Sequence, residues 1–87
     1  MKIAFTDTAV KQLEDIARGN KRDAQRIVEK IEAYANNPQG NFNIKILKGK
    51  FGDRLRLRIG DYRVVFKIES EIMQISIIKH RKDVYHD

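Results

Sequence analysis

Two hydrophobic periods alternate along this chain, and each change of period marks an element boundary. Ile3 and Phe5 fall on one side of Lys2–Phe5, the signature of a short strand. Thr6 or Asp7 can then cap a helix, because a side-chain oxygen there satisfies an orphan amide. Val10, Leu13, Ile16 and Ala17 recur at helical spacing, and Gly19 marks a stop. Asn20 opens a second helical stretch with Ala24, Ile27, Val28, Ile31, Tyr34 and Ala35 on one stripe. The outer face of that stretch is charged with both signs, so that Arg26 and Lys30 are offset by neighbouring acids. The run Asn36-Asn37-Pro38-Gln39-Gly40 ends it.

Period two then takes over. Phe42 to Leu47 reads as a strand, and Lys48 to Asp53 as a glycine-containing connection. Arg54-Leu55-Arg56-Leu57-Arg58-Ile59 alternates basic and apolar, as a strand with one buried face does. Gly60-Asp61 is a two-residue hairpin signal, followed by Tyr62-Arg63-Val64-Val65-Phe66-Lys67. A loop of those two residues sets Ile59 opposite Tyr62, Arg58 opposite Arg63, Leu57 opposite Val64, Arg56 opposite Val65, Leu55 opposite Phe66 and Arg54 opposite Lys67. One face then carries Leu55, Leu57, Ile59, Tyr62, Val64 and Phe66, and Tyr62 is assigned to packing. The other carries Arg54, Arg56, Arg58, Arg63 and Lys67, with Val65 among them. Glu69-Ser70-Glu71 is a tight turn, and Ile72 to Lys79 is a last strand, apolar on both faces. Strict alternation places Ile72, Gln74, Ser76 and Ile78 on one side of it and Met73, Ile75 and Ile77 on the other.

The predicted order is β-α-α-β-β-β-β. It implies an α+β fold with two antiparallel helices packed on one face of a mostly antiparallel curved sheet, residues 1–87 forming a single domain. The basic face of the sheet stays open. Like charges directly opposite on a sheet repel by up to about 1 kcal/mol per pair. The open face therefore makes sense if a polyanion supplies the missing charge. A solvated face with spread arginine stems fits the same pattern.

Charge sharpens that reading. The 87 residues carry a net charge of +6, with 41% hydrophobic and 34% charged residues, a soluble globular balance. Residues 1–43 hold seven Lys/Arg against six Asp/Glu, whereas residues 44–87 hold eleven against six. The excess thus gathers around the hairpin and points to phosphate-bearing or acidic partners. No apolar run approaches the roughly 20 residues of a membrane span. The start Met1-Lys2-Ile3-Ala4-Phe5 turns polar at once, unlike a secretory signal. There are no cysteines, so disulfide and thiol chemistry are excluded and a cytoplasmic location is expected. The two histidines have no metal-ligand spacing, and neither metal nor cofactor is expected.

Leu47-Lys48-Gly49, the run from Arg54 through Gly60-Asp61-Tyr62-Arg63 to Phe66, and the ending His80-Arg81-Lys82-Asp83-Val84-Tyr85 together resemble the RelE/ParE superfamily of toxin–antitoxin toxins, in particular its RelE branch. The resemblance spans essentially the whole chain. It implies the toxin of a type II toxin–antitoxin system, a ribosome-dependent endoribonuclease that cuts mRNA in the ribosomal A site and inhibits translation. It also implies a RelB-like antitoxin; an acidic, partly disordered segment would fold over the open cationic face. Free toxin is expected to be a monomer and the toxin–antitoxin complex a hetero-oligomer. Arg63, Arg81 and Tyr85 match basic and aromatic positions of RelE toxins, Arg54 and Arg56 stand where the best-known one has lysines, and Lys48 matches another basic position. Arginine at 54 and 56 keeps the charge and the phosphate fork but removes a general base there. No C-terminal helix of the kind some relatives carry is expected after Tyr85.

Metal-independent RNA cleavage needs a base for the 2′-OH, charge for the dianionic phosphorane and an acid for the leaving 5′-oxygen. The expected catalytic set is Arg63 and Arg81 for charge, with Arg56 assisting, His80 for proton transfer because imidazole titrates near neutrality, and Tyr85 as a base-stacking platform. A 2′,3′-cyclic phosphate product is what the resemblance implies. Lys45, Lys48, Lys50, Arg54, Arg58, Lys67 and Lys82 are the expected RNA and ribosome contacts. Two other readings stay open: a ParE-like inhibitor of DNA gyrase without nuclease activity, and a non-catalytic basic module that binds nucleic acid or an acidic partner.

Overall fold

The computed structural model describes residues 1–49 and 52–83. In chain order the elements are β1 (Lys2–Phe5), α1 (Asp7–Gly19), α2 (Lys21–Asn36), β2 (Ile44–Leu47), β3 (Arg54–Ile59), β4 (Tyr62–Glu69), β5 (Ile72–His80) and a 3-10 turn at Arg81–Asp83. The strands form one five-stranded sheet in the order β1-β5-β4-β3-β2, antiparallel except where β1 joins β5. Both helices cover one face, as the order of hydrophobic periods implies.

Capping sets the helix boundaries. Thr6 Oγ1 accepts from the Ala9 amide at the start of α1. Asn20 serves twice: its backbone amide closes α1 onto the Ile16 carbonyl, and its side chain accepts from Asp23 N to open α2. The short β-connection at Asn20 turns the chain back, so the two apolar stripes face the same sheet.

The core lies between helices and sheet. Ala9, Ile27, Ile31, Tyr34 and Ala35 meet Leu57, Ile59, Val64, Phe66, Met73, Ile75 and Ile78. Phe66 and Phe42 approach Tyr34 edge to face, each at 5.3 Å between ring centroids. This geometry adds to area burial.

The central hairpin has the expected register from Ile59–Tyr62 to Leu55–Phe66. Gly60 adopts φ +57° while Asp61 keeps negative φ, so the loop is a turn with glycine at its first central position. The β4–β5 hairpin closes differently. Ser70 and Glu71 both take positive φ, 51° and 62°, a conformation that L side chains resist.

Two expectations are overturned. Val10, expected on the apolar stripe of α1, is 41% exposed, and Ala9 packs in the core instead. The second concerns the last strand. Strict alternation in β5 puts Ile77 with Met73 and Ile75, but Ile78 is the core residue, 1% exposed, and Ile77 lies on the open face. A β-bulge is the cause. Phe66 pairs with Ile75 and Val65 with Ile77, leaving Ser76 as the extra residue. Ser76 is held in place by its own Oγ, which donates to the Val65 carbonyl, and by Thr6 Oγ1, which donates to the Ser76 carbonyl. A one-residue shift moves every later side chain to the other face.

Candidate functional site: the open face of the sheet

The face that the helices leave uncovered carries the cations. Arg58 lies opposite Arg63 across β3 and β4, and Arg63 lies opposite Lys79 across β4 and β5. Three positive side chains thus line up across three strands. Arg58–Arg63 is the pair next to the one that closes a two-residue loop, and the Arg58 amide turns away to the Asn43 carbonyl. It is therefore a non-hydrogen-bonded pair, the kind in which side chains come closest. Arg56 sits one step along, opposite Lys45 on β2 and Val65 on β4. Arg56 is 9% exposed, and its guanidinium donates to Asn43 Oδ1 at 2.9 Å. A cation held this deep at a fixed position needs no reorganisation to meet charge that develops in front of it.

The other expected contacts are distributed around this row. Arg54 begins β3 on the same face, opposite Leu47. Lys67 lies on that face of β4 and pairs with Glu69 at 2.8 Å, which holds the Glu69 carboxyl below its ordinary range. Lys45 and Lys48 are exposed, the first on β2 and the second just beyond it. Lys82 is exposed in the 3-10 turn. Arg81 stands at the hairpin end of the sheet, where its amide donates to the Asp61 carbonyl at 2.7 Å and its Nε approaches Asp61 Oδ1 at 3.7 Å. That ion pair is exposed on both sides and so holds Arg81 only weakly. Lys50 and Tyr85 lie outside the described residues.

His80 is not brought to the row. Because of the bulge it pairs with Tyr62 and faces the helices, its ring edge-to-face with Tyr62 at 5.2 Å. Its Nδ1 accepts from the Lys82 amide at 3.2 Å, so a proton on the neutral ring sits on Nε2. Tyr62 in turn donates to Asp23 Oδ2 at 2.9 Å, and burial followed by that bond pushes its hydroxyl pKa up from 10.0. This chain of contacts ties the start of α2 to the residues just before Arg81.

Lys79 is the residue that sequence reasoning missed. Counted back from the Ser70-Glu71 turn without a bulge, Lys79 falls opposite Tyr62 on the core face. The bulge moves it opposite Arg63 and sends His80 the other way. Nothing in the local composition signals this, since Ser76 is not one of the glycines that mark many bulges.

Among the described residues, no group of three or more His, Asp or Glu side chains is arranged to hold a metal ion. No described helix is long and apolar enough to cross a membrane. The open face carries closely spaced cationic side chains in register on three strands.

Comparison with known proteins agrees with this architecture. The family described as ParE toxin of type II toxin-antitoxin system, parDE, matches residues 3–85. Toxin RelE3 of Methanocaldococcus jannaschii is 26% identical over 85 residues, covering 98% of this chain and 96% of its own length. The toxin of the RelB-RelE antitoxin-toxin complex from Methanococcus jannaschii superposes with a TM-score of 0.71 at 26% identity, over 95% of this chain and 99% of the other. In the archaeal RelE-RelB complex from Pyrococcus horikoshii OT3 the corresponding values are 0.74 and 24%, over 95% and 97%. With its family match running almost end to end and its two helices on an open, mostly antiparallel sheet, the chain belongs to the RelE/ParE superfamily and is a toxin of the type II toxin–antitoxin class.

Proposed function

We propose that this toxin is a ribosome-dependent endoribonuclease that cleaves mRNA in the A site. The observation that carries the reading is the row Arg58–Arg63–Lys79 with Arg56 beside it, on a face free of helices. A row of cations in register on a face free of helices is a suitable seat for the phosphates of RNA. In cleavage the substrate 2′-hydroxyl passes its proton to solvent water as its oxygen attacks the adjacent phosphorus, and the 5′-oxygen leaves with a proton from Lys79. Arg63 and Arg81, assisted by Arg56, hold the phosphorane, a role in which single donors are worth about 3–4 kcal/mol. The products are a 2′,3′-cyclic phosphate and a 5′-hydroxyl.

Two residues bear on proton transfer, one directly and one by positioning. His80 is the residue the sequence offers for it, but its ring faces the helices. Lys79, in register with Arg63, protonates the leaving 5′-oxygen in this reading. His80, bonded to the Lys82 amide, then positions the turn that carries Arg81. Tyr85 stacks on a base of the message. Lys45, Lys48, Lys50, Arg54, Arg58, Lys67 and Lys82 contact RNA phosphates. The site works without metal or cofactor.

The test is primer extension on programmed ribosomes, with Lys79→Met compared with His80→Gln. The loss with Lys79→Met should appear in the rate at saturation, and that with His80→Gln should be smaller. The M. jannaschii and P. horikoshii relatives are seen with RelB. By extension, a RelB-like antitoxin with an acidic segment covers the cationic face of this toxin in the cytoplasm.

The matched family is that of ParE, which favours a second reading as a gyrase inhibitor. A supercoiling assay with purified gyrase separates the two, and no inhibition is expected.

A further inference from the structure

We infer that the cationic face continues around the edge of the sheet into a cleft between α2 and β3, and that this cleft takes RNA phosphates. The inference deepens the proposed function by placing a second stretch of the polymer beyond the reacting phosphate.

The cleft exists because β2 is shorter than β3. Pairing between them ends at Ile44–Leu57, with one further bond from the Arg58 amide to the Asn43 carbonyl. Beyond it, Ile59 and Gly60 run on beside α2. The resulting hollow, about 640 Å³, is lined by Arg26, Glu29 and Lys30 of α2, by Asn41 and Asn43, and by Arg58 of β3. Three cations thus face one carboxylate.

Two guanidinium groups meet at Gly60. Arg58 Nε approaches the Gly60 carbonyl at 3.5 Å from the strand side. Arg26 arrives from α2, with its Nη2 only 2.7 Å from where a Cβ on residue 60 would stand. Glycine suits this position because of its φ of +57°, and the flexible end of Arg26 lies close beside it. Lys30 is one helical turn from Arg26, a like-charge spacing that weakens an isolated helix. Its Nζ sits 5.9 Å over the Phe42 ring, which holds it against the cleft wall. Among the described residues, none of these three cations forms an ion pair.

RNA is favoured over a protein segment for two reasons. Arg58 belongs both to the open-face row and to the cleft, so charge runs without a break from Lys79 through Arg63 and Arg58 to Arg26 and Lys30. A regularly charged polymer fits such a run, and guanidinium forks suit phosphate oxygens. A docked helix needs accessible apolar surface for its anchors, and of the apolar side chains lining the cleft, Ala33, Phe42, Leu57 and Ile59, both Leu57 and Ile59 are buried in the core, which leaves little for an anchor to grip.

The test uses the whole toxin and a short, uncleavable 2′-O-methyl RNA, with binding followed by fluorescence anisotropy against salt. The double variant Arg26→Gln/Lys30→Gln should reduce the slope of log affinity against log salt by about 1.4, or about 25-fold in affinity near 0.1 M salt. The pair Arg26→Lys/Lys30→Arg should restore the slope, which separates charge from any damage to the fold. An unchanged slope in the double variant overturns the inference. So does a loss of affinity confined to an acidic peptide, which would make the cleft a protein site. A wild type that binds RNA with the expected slope change but cuts nothing on ribosomes would refute the nuclease reading alone.

Discussion

Arg58 offers a prediction in which stability and function move in opposite directions. It is exposed and faces Arg63 in a pair whose side chains are close, with a second cation, Lys79, next in the row. Like charges so placed cost up to about 1 kcal/mol, and solvent screening at an exposed site reduces this to about 0.5 kcal/mol. Arg58→Gln keeps much of the stem and removes the charge. Stability should therefore rise by about 0.5 kcal/mol, equivalent to about 2–4 °C in Tm for a domain of this size. Thermal unfolding followed by circular dichroism at low salt reads the shift. In 1 M salt, where the Debye length is about 3 Å, the gain should vanish. The same variant should bind RNA with a salt slope smaller by about 0.7. A variant that is less stable than wild type at low salt, with its slope intact, would show that Arg58 serves the fold and would refute the argument.

Other positions test other links. Glu71→Gly relieves a residue held at φ 62° and should stabilise the chain by about 0.5–1 kcal/mol, seen as a higher denaturation midpoint, while cleavage at the far end of the sheet is unaffected. Ile78→Thr should cost about 2–3 kcal/mol and Ile77→Thr less than about 1 kcal/mol; equal costs in urea titration would contradict the bulge. Burial, and then the bond to Asp23, raise the Tyr62 pKa, so its contribution to stability is complete below pH 10.0 and is lost as pH rises through the folded-state value. Spectroscopic titration should therefore show tyrosine ionising above 10.0, and Tyr62→Phe should remove one late component while costing about 1–2 kcal/mol at neutral pH.

The sequence made much of this legible because its periods are clean. Alternating arginine and leucine in β3 defined both faces, Gly60-Asp61 set the register of the central hairpin, and Thr6 and Asn20 announced the helix starts. The illegible part of the sheet has a single physical origin. Ser76 is an extra residue without a compositional signal, and from it onward every side chain changes face. That is why Ile78 rather than Ile77 enters the core, and why Lys79 rather than His80 joins Arg63. The α2–β3 cleft was hidden for another reason. Arg26 and Lys30 read as a solvated helix face until the short β2 leaves the end of β3 uncovered beside them.

The central claim is that cations gathered on the open face act on a phosphodiester of ribosome-bound message. Primer extension on programmed ribosomes, with wild type beside Arg63→Ala, tests it most directly. The account predicts a ribosome-stimulated cut by the wild type and a fall of about 10²–10³ in rate for the variant, with ribosome binding retained. A wild type that makes no such cut, or an Arg63→Ala variant that cuts as fast, would contradict it.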